Sequence, residues 1–142
     1  MTLLFQTGSK TEAFRVRQAV FVEEQGFQGE FDDVDEQAAT VHMTARLEGE
    51  LVGCSRFFPD PEDGECWVIG RLAVLPPFRG EGVGSELVKE SERLAKERGA
   101  SCTRLHAQCR AVPFYEKLGY EAYGEVEMDE HVEHVWMRKQ LQ

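Results

Sequence analysis

The sequence predicts a mixed α/β fold of the α+β kind, in which helices pack on one central sheet. A nearly continuous apolar run at residues 66–75 is typical of a central strand that is buried on both faces. An amphipathic run with helical spacing follows it, and runs of alternating apolar residues lie on both sides. The 142 residues contain no internal repeat, low-complexity tract or linker, so we expect a single domain over residues 1–142.

The chain before the central strand predicts one helix and a pair of strands. Ala13, Val16 and Val20 recur at helical spacing and would share one face of the helix. The strand pair consists of two alternating runs joined by a turn at Glu48-Gly49-Glu50. The predicted order is helix, acidic loop, strand pair and turn, over residues 11–24, 25–37, 39–58 and 60–65.

The chain after the central strand predicts two helices and three strands. The first helix runs from about Val83 to Arg98, because Val83, Leu87 and Leu94 line one face and Gly99 can end it. The remaining elements are a strand, a short helix that ends at Gly119 and two strands, over residues 101–109, 111–118, 120–128 and 131–141.

The charge of the chain excludes some classes of partner. Acidic residues number 26 and basic residues 16, which gives a formal net charge of −10. Binding to nucleic acid or to an anionic membrane needs a basic face, so we expect neither partner. An acidic surface is compatible with a cationic substrate such as an amine, although most acidic surfaces serve solubility alone.

The cysteines and the N-terminus indicate a cytoplasmic protein. A chain of this length can fold without disulfides, and none of its cysteines form a C-x-x-C pair. We therefore expect neither a disulfide nor a zinc site, with all four thiols reduced. No apolar run reaches the ~18 residues of a membrane span, and the N-terminus has no signal-peptide pattern. The four cysteines are Cys54, Cys66, Cys102 and Cys109.

Three glycines follow Arg79 at alternate positions, where the long helix is about to start: Gly80, Gly82 and Gly84. A Walker loop would need a Lys-Ser or Lys-Thr pair after these glycines, and a dinucleotide fingerprint would need a glycine where Ser85 stands. The free amides and the dipole of a first helical turn bind anions, and glycine lets a phosphate approach them closely. The stretch thus predicts either a pyrophosphate site or a tight turn without a ligand.

Two segments resemble the motifs of the GNAT N-acetyltransferase family. LAVLPPFRGEGVGSELV is similar to the family's acyl-CoA motif R/Q-x-x-G-x-G/A, and Arg79, Gly82 and Gly84 match its three fixed positions. QCRAVPFYEKLGY is similar to the second motif, N-x-x-A-x-x-x-Y-x-x-x-G-F, with Gln108 in place of Asn and Tyr120 in place of Phe. Further segments, RQAVFVEEQG, IGRLAV, LHAQ and HVEHVWMRK, resemble the ElaA-type branch of this family.

The resemblance implies a fold, a co-substrate and a set of site residues. It implies a GNAT acyl-CoA N-acyltransferase fold, whose mixed sheet has a splayed central strand pair with pantetheine in the gap. It implies acetyl transfer from acetyl-CoA to a primary amine by direct attack in a ternary complex, without a metal. Tyr115 would assist the departing thiolate as the catalytic residue. The implied cofactor-binding residues are Leu72, Ala73, Val74, Arg79, Gly80, Glu81, Gly82, Val83, Gly84, Ser85 and Gln108.

The general base and the acceptor remain open at this point. A water chain could serve as the base, and the H-x-x-H pair His131 and His134 would face opposite sides of a strand and so could not share a metal. Arg56 and Arg71 lie in predicted strands and need carboxylate partners, which residues 31–36 could supply. The candidate bases are Glu23, Glu24, His42, Glu65 and His134.

Two further alternatives remain. The chain could be an acyl-CoA-binding sensor or interaction module of this fold without turnover, which would bind the coenzyme but acetylate no amine. The C-terminal pair of strands could also pair with a second copy to form a homodimer. The acceptor could be a small molecule or a peptide.

Overall fold

The computed structural model describes residues 2–142, which form one sheet of seven strands with helices on both faces. The strands are β1 Leu3–Thr7, β2 Val41–Leu47, β3 Glu50–Pro59, β4 Cys66–Val74, β5 Cys102–Gln108, β6 Glu121–Asp129 and β7 Val132–Gln140. The α-helices are α1 Lys10–Arg17, α2 Val83–Glu97 and α3 Val112–Lys117. A π-helical segment, Gln18–Glu24, continues α1, and short 3-10 turns cover Asp33–Glu36, Pro76–Phe78 and Cys109–Ala111.

The strands lie in the order β1-β2-β3-β4-β5-β7-β6, and every adjacent pair is antiparallel except β4 and β5. The predicted mixed sheet and every predicted helix and strand are confirmed. The sequence prediction missed β1, because five residues at a sheet edge are too few to show a clear alternation. The predicted helix over residues 11–24 has the right extent, but its second half adopts π-helical geometry.

Two apolar layers hold the helices on the sheet. Leu87 of α2 packs with Met43 and Phe57 on one face, and each of these three side chains is fully buried. Val16 of α1 packs with Ala73 of β4 on the other face. Burial of a large apolar side chain stabilises the fold by about 1.5–3 kcal/mol, so these layers fix α1 and α2 on opposite sides of β4.

The central strands β4 and β5 separate soon after they pair. Their ladder joins Cys66, Trp67 and Val68 only to Cys102, Thr103 and Arg104. Beyond it, β4 contains a bulge at Arg71, whose φ of 50° lies in the left-handed region that non-glycine residues rarely adopt. The predicted splayed pair is confirmed, and the gap beyond Val68 is open to a ligand.

A disulfide between Cys66 and Cys102 joins the two strands at the closed end of this gap. The prediction that the chain contains no disulfide and that all four cysteines are reduced was therefore wrong. The parallel register places the two Cα atoms 4.5 Å apart, a proximity that 36 intervening residues hide in the sequence. Cys54 and Cys109 are free thiols, and burial raises the pKa of Cys54 to about 12.

The disulfide also bears on metal binding. Among residues 2–142, one group of potential ligand atoms lies close enough together to share a metal ion: the carboxylate of Asp63 and the sulfurs of Cys66 and Cys102. Bonded sulfurs are not thiolates, and the thiolate is the form of cysteine that binds metals. This group therefore offers no metal site while the disulfide is intact.

The strand β6 forms one edge of the sheet and is exposed along its whole length. Tyr123, Val126 and Met128 expose 41%, 54% and 61% of their surface, so this edge could pair with a second copy, and the homodimer stays a prediction. Within residues 2–142, none of the helices combines the length and the apolar character that crossing a bilayer requires.

Candidate active site

A cavity of about 860 Å³ occupies the gap between β4 and β5. It extends from the N-terminus of α2 to the turn between β6 and β7, and a loop at residues 25–30 forms part of its wall. Tyr115 and every residue predicted to bind the cofactor except Glu81 line this cavity. The two motifs, about 30 residues apart in the sequence, thus meet around one space.

The glycine turn places free amides at one end of the cavity. Gly80 and Gly82 have φ values of 81° and 85°, which glycine adopts without strain. Gly82 is the N-cap of α2 and supplies no side chain to the amides of the first turn, so these amides remain available to an anion. A Cβ on Gly84 would lie 3.3 Å from the ring of Phe114, so this glycine is also needed for packing.

Arg79 lies at the mouth of the cavity and is held by two contacts. Its Nε donates a hydrogen bond to the carbonyl of Val74 at 2.9 Å. Its Nη1 and Nη2 donate to the two carboxylate oxygens of Glu24 at 2.8 and 2.7 Å. The hydrogen bond from Arg79 lowers the pKa of Glu24, so Glu24 is ionised and paired at neutral pH.

Tyr115 and Gln108 come from the second motif. Burial raises the pKa of Tyr115 to about 12, so its hydroxyl keeps its proton over the physiological range. Gln108 Nε2 donates to the side-chain oxygen of Gln25 at 2.8 Å, and Gln108 Oε1 accepts from Arg110 at 3.0 Å. Gln108 therefore ties the end of β5 to the end of the π-helical segment across the cavity.

A buried ionic network lies behind the 25–30 loop. Arg17 exposes 1% of its surface and donates hydrogen bonds to Glu30 and Asp35. Arg71 contacts the Glu30 carboxylate at 2.8 Å and donates to the Glu30 carbonyl at 2.9 Å, and Arg56 donates to Asp35. The prediction that carboxylates of residues 31–36 pair with Arg56 and Arg71 is confirmed by Asp35 for Arg56 and by Asp32, 3.2 Å from Arg71, whereas Glu30 lies just before that segment.

The network shifts the pKa values of its carboxylates, and it holds part of the cavity wall in place. Burial raises the pKa of Glu30 despite the opposing effects of Arg71 and Arg17. Burial would also raise the pKa of Asp35, but the hydrogen bonds from Arg17 and the amide of Asp32 hold it well below its usual value. The sequence analysis missed Arg17, although an arginine beside Val16 on the apolar face of a helix was a usable signal.

The structure separates the five candidate bases. Glu23 is exposed, Glu65 lies in the turn before β4, and His42 contacts the carbonyl of Asp35 through Nε2 at 3.0 Å; none of the three lines the cavity. Glu24 lines it but is paired with a guanidinium. His134 lines the cavity and exposes 6% of its surface.

His106 is a cavity residue that the sequence analysis did not identify. Its ring centroid lies 4.9 Å from that of His134 and 4.7 Å from that of Trp136, and its Nε2 lies 3.4 Å from the Glu127 carboxylate. Burial and the nearby His134 lower the pKa of His106. The signal lay in the alternation of β5, which places His106 and Gln108 on one face, and in the pairing of His106 with Trp136 of β7.

Comparison with known proteins identifies relatives over the whole fold. A model of the acetyltransferase (GNAT) family matches residues 10–120. A candidate acetyltransferase of Bacillus subtilis is 39% identical over 131 residues, which cover 90% of this chain and 87% of that protein. Escherichia coli ElaA is 30% identical over 131 residues, which cover 89% of this chain and 84% of ElaA.

Two crystal structures extend this similarity to three dimensions. The structure of Escherichia coli ElaA superposes with a TM-score of 0.86 at 26% identity and covers 98% of this chain and 100% of ElaA. The structure of a candidate N-acetyltransferase from Lactobacillus plantarum superposes with a TM-score of 0.89 at 26% identity, over 100% of both chains.

Proposed function

Because this chain belongs to the GNAT acetyltransferase family, we propose that it transfers an acetyl group from acetyl-CoA to the primary amine of an acceptor. In this proposal the amine attacks the thioester directly while both substrates are bound. The observation that carries it is the single cavity that both family motifs line, with Arg79 and the glycine turn at one end and Tyr115 in its wall.

The coenzyme would lie in the gap between the central strands. The amides of residues 80–85 and the guanidinium of Arg79 suit a pyrophosphate, because both are donors and both are electrostatically positive. Since the β4–β5 ladder ends at Val68, the backbone of Leu72, Ala73 and Val74 has no β5 partner on that side. It can therefore bind pantetheine, and a backbone amide there can donate to the thioester oxygen as charge develops on it.

The chemistry needs a neutral amine and a stabilised leaving group. The amine nitrogen forms a bond to the carbonyl carbon, the carbon–sulfur bond breaks, and the sulfur leaves as the thiolate of CoA. The thiol of CoA, with a pKa of about 8.5, is more acidic than Tyr115. Tyr115 would therefore stabilise the thiolate by donating a hydrogen bond, and the thiolate would finally take up the proton that the attacking nitrogen loses as the amide forms.

A ligand-stabilisation experiment tests the coenzyme. Acetyl-CoA at about 100 times its Kd should raise the free energy of unfolding by about 2.7 kcal/mol, because it binds the folded state alone. ATP at the same concentration should raise it far less, since the turn lacks the lysine of a Walker loop. No stabilisation by acetyl-CoA, or stabilisation by ATP alone, would contradict the proposal.

An acceptor screen tests the reaction. Purified protein, acetyl-CoA and a panel of alkylamines, amino sugars and peptides should release free CoA above the rate of hydrolysis for at least one amine. Acetyl-CoA binding without transfer to any amine would instead support the acyl-CoA sensor.

The proposal also places the protein in the cytoplasm with its co-substrate, because acetyl-CoA is a polyanion that does not cross membranes unaided.

A further inference from the structure

We propose that His134 is the general base of this enzyme and takes the proton that the acceptor amine must lose. The assignment rests on the proposed acetyl transfer, which requires a neutral amine although alkylamines are mostly ammonium ions at neutral pH. It starts from position: of the five candidate bases, Glu24 and His134 line the cavity, Glu24 is paired with Arg79, and His134 is buried with 6% of its surface exposed.

The hydrogen bonding of His134 fixes which nitrogen can act. Its Nδ1 lies 3.0 Å from the carbonyl of Val132. A carbonyl oxygen only accepts, so Nδ1 must carry the hydrogen, and in the neutral ring Nε2 carries the lone pair. Among residues 2–142, no side chain or backbone group forms a hydrogen bond with Nε2. A buried ring in the cavity wall thus keeps a proton-accepting atom that the protein itself does not use.

The surroundings of His134 can stabilise the imidazolium that forms. Glu127 is its partner on β6, and Asp129 of the same strand lines the cavity. An ionised carboxylate attracts a positive charge that forms near it, and the Glu127 carboxylate lies 3.4 Å from Nε2 of the neighbouring ring, His106. His106 on β5 opposes it when protonated, but burial lowers the pKa of His106 and keeps that neighbour neutral at pH 7.

The loop at residues 25–30 also approaches His134 and contacts the turn between β6 and β7. The ring of Phe27 lies 6.3 Å from the His134 ring at an angle of 72°, and Phe27 also contacts His131 at the tip of the hairpin. The carboxylate of Glu130 accepts hydrogen bonds from the amides of Gln28 and Gly29, both at 2.8 Å. These contacts hold the 25–30 loop against the hairpin beside His134.

The first test is the substitution His134→Asn. The amide nitrogen of asparagine can take the place of Nδ1 and donate to the Val132 carbonyl, so the variant removes Nε2 with little disturbance of the loop. With saturating acetyl-CoA and an alkylamine found in the screen, kcat/KM at pH 7 should fall by about 10²-fold or more. Glu133→Gln, an exposed neighbour on β7, is the control and should leave the rate unchanged.

The pH profile distinguishes a base from a structural residue. In the wild type, kcat/KM should rise with pH and then level off below the pKa of the amine, because the general base forms the neutral amine on the enzyme. In H134N it should continue to rise up to the pKa of the amine, because only amine that is already neutral can react. Methoxyamine is unprotonated at neutral pH, so with this acceptor the deficit of H134N should shrink.

The outcomes separate this assignment from the proposed function. An H134N protein that acetyl-CoA still stabilises but that keeps the wild-type profile would overturn the assignment and leave acetyl transfer intact. If H134N does not fold, His134→Gln decides: it also removes the imidazole, and its kcat/KM should likewise keep rising up to the pKa of the amine. A wild-type profile in H134Q would equally overturn the assignment. Failure of the wild type to bind acetyl-CoA would instead refute the proposed function.

Discussion

Tyr115 lines the cavity with a hydroxyl whose proton is held tightly. Its pKa of about 12 reflects burial beside Phe114 and Tyr120, whose rings lie 5.0 and 6.0 Å away. Tyr115→Phe removes one preorganised donor to the departing sulfur, so kcat should fall by about 10²-fold, while the Kd of acetyl-CoA stays nearly unchanged. Steady-state kinetics with isothermal titration calorimetry would check this, and an unchanged kcat would remove Tyr115 from the mechanism.

The same pKa predicts the alkaline behaviour of the wild type. A tyrosine that ionises near pH 12 keeps its proton at any pH at which the protein is assayed. The rate should therefore show no basic limb from Tyr115 below about pH 10, whereas an unperturbed phenol with a pKa of about 10 would produce one there. Measurement of kcat with a saturating acceptor from pH 7 to 10 tests the direction of this shift.

At the scale of residues, the sequence predicted those cavity residues that belong to the two family motifs. The glycines, Arg79, Tyr115 and Gln108 follow fixed spacings, and the structure gathers them around one cavity. His106 and Arg17 lie in the segments LHAQ and RQAVFVEEQG, but their roles could not be assigned, because their surroundings come from strands and loops distant in the chain. Only strand pairing shows that His106 stacks on Trp136, a residue 30 positions away.

At the scale of elements, the π-helical segment after α1 and the glycine turn before α2 are joined by one ion pair. Glu24 ends the segment and engages both terminal nitrogens of Arg79, and both side chains are about 40% exposed. A pyrophosphate bound at the turn would have to share Arg79 with this carboxylate. The negative charge of Glu24 thus opposes the coenzyme.

The substitution Glu24→Gln should therefore tighten acetyl-CoA binding. The substitution removes a negative charge that would repel the pyrophosphate, so the Kd of acetyl-CoA should fall. The fall should be only roughly two- to fivefold, because solvent strongly screens the interaction between exposed charges. Glu23→Gln is the matched control, since Glu23 is exposed and does not line the cavity, and its Kd should not change. Weaker binding by E24Q would show instead that Glu24 holds Arg79 in its binding orientation.

The elements themselves were largely predictable from the sequence, and the exceptions have physical causes. Helix α2 and strand β4 carry strong periodic or continuous apolar patterns, and the structure places them within a residue or two of the prediction. The edge strand β1 pairs with β2 alone, so half of its side chains face solvent. The Cys66–Cys102 disulfide depends on the register of two parallel strands, which no local pattern specifies.

At the scale of the whole molecule, charge is unevenly balanced at the end of the cavity between the 25–30 loop and the turn of β6 and β7, where we propose that the acceptor binds. Arg56 and Arg71, the basic side chains in the wall beside the 25–30 loop, are both engaged by carboxylates of the buried network. On β6, the Glu127 carboxylate lies 3.4 Å from His106 Nε2, and Asp129 lines the cavity. With a net charge of −10 over the chain, the field at this end favours a cation and disfavours an anion.

This balance predicts the kind of acceptor that the enzyme prefers. Cadaverine and lysine share the same primary amine and differ in one carboxylate, so they form a matched pair. With saturating acetyl-CoA, kcat/KM should be about tenfold or more higher for cadaverine than for lysine. The carboxylate of lysine would be repelled by Asp129 and would lose water on binding, and a tenfold ratio corresponds to about 1.4 kcal/mol for these two effects together.

Salt provides the control for this last prediction. At 1 M ionic strength the Debye length is about 3 Å, so the preference should shrink if it arises from the long-range field. A preference for lysine at all salt concentrations would mean that Arg56 or Arg71 leaves its carboxylate partner to bind the acceptor. In that case the ionic network would be part of the acceptor site, and Arg71→Lys, which keeps the charge but loses the forked geometry, should abolish the preference.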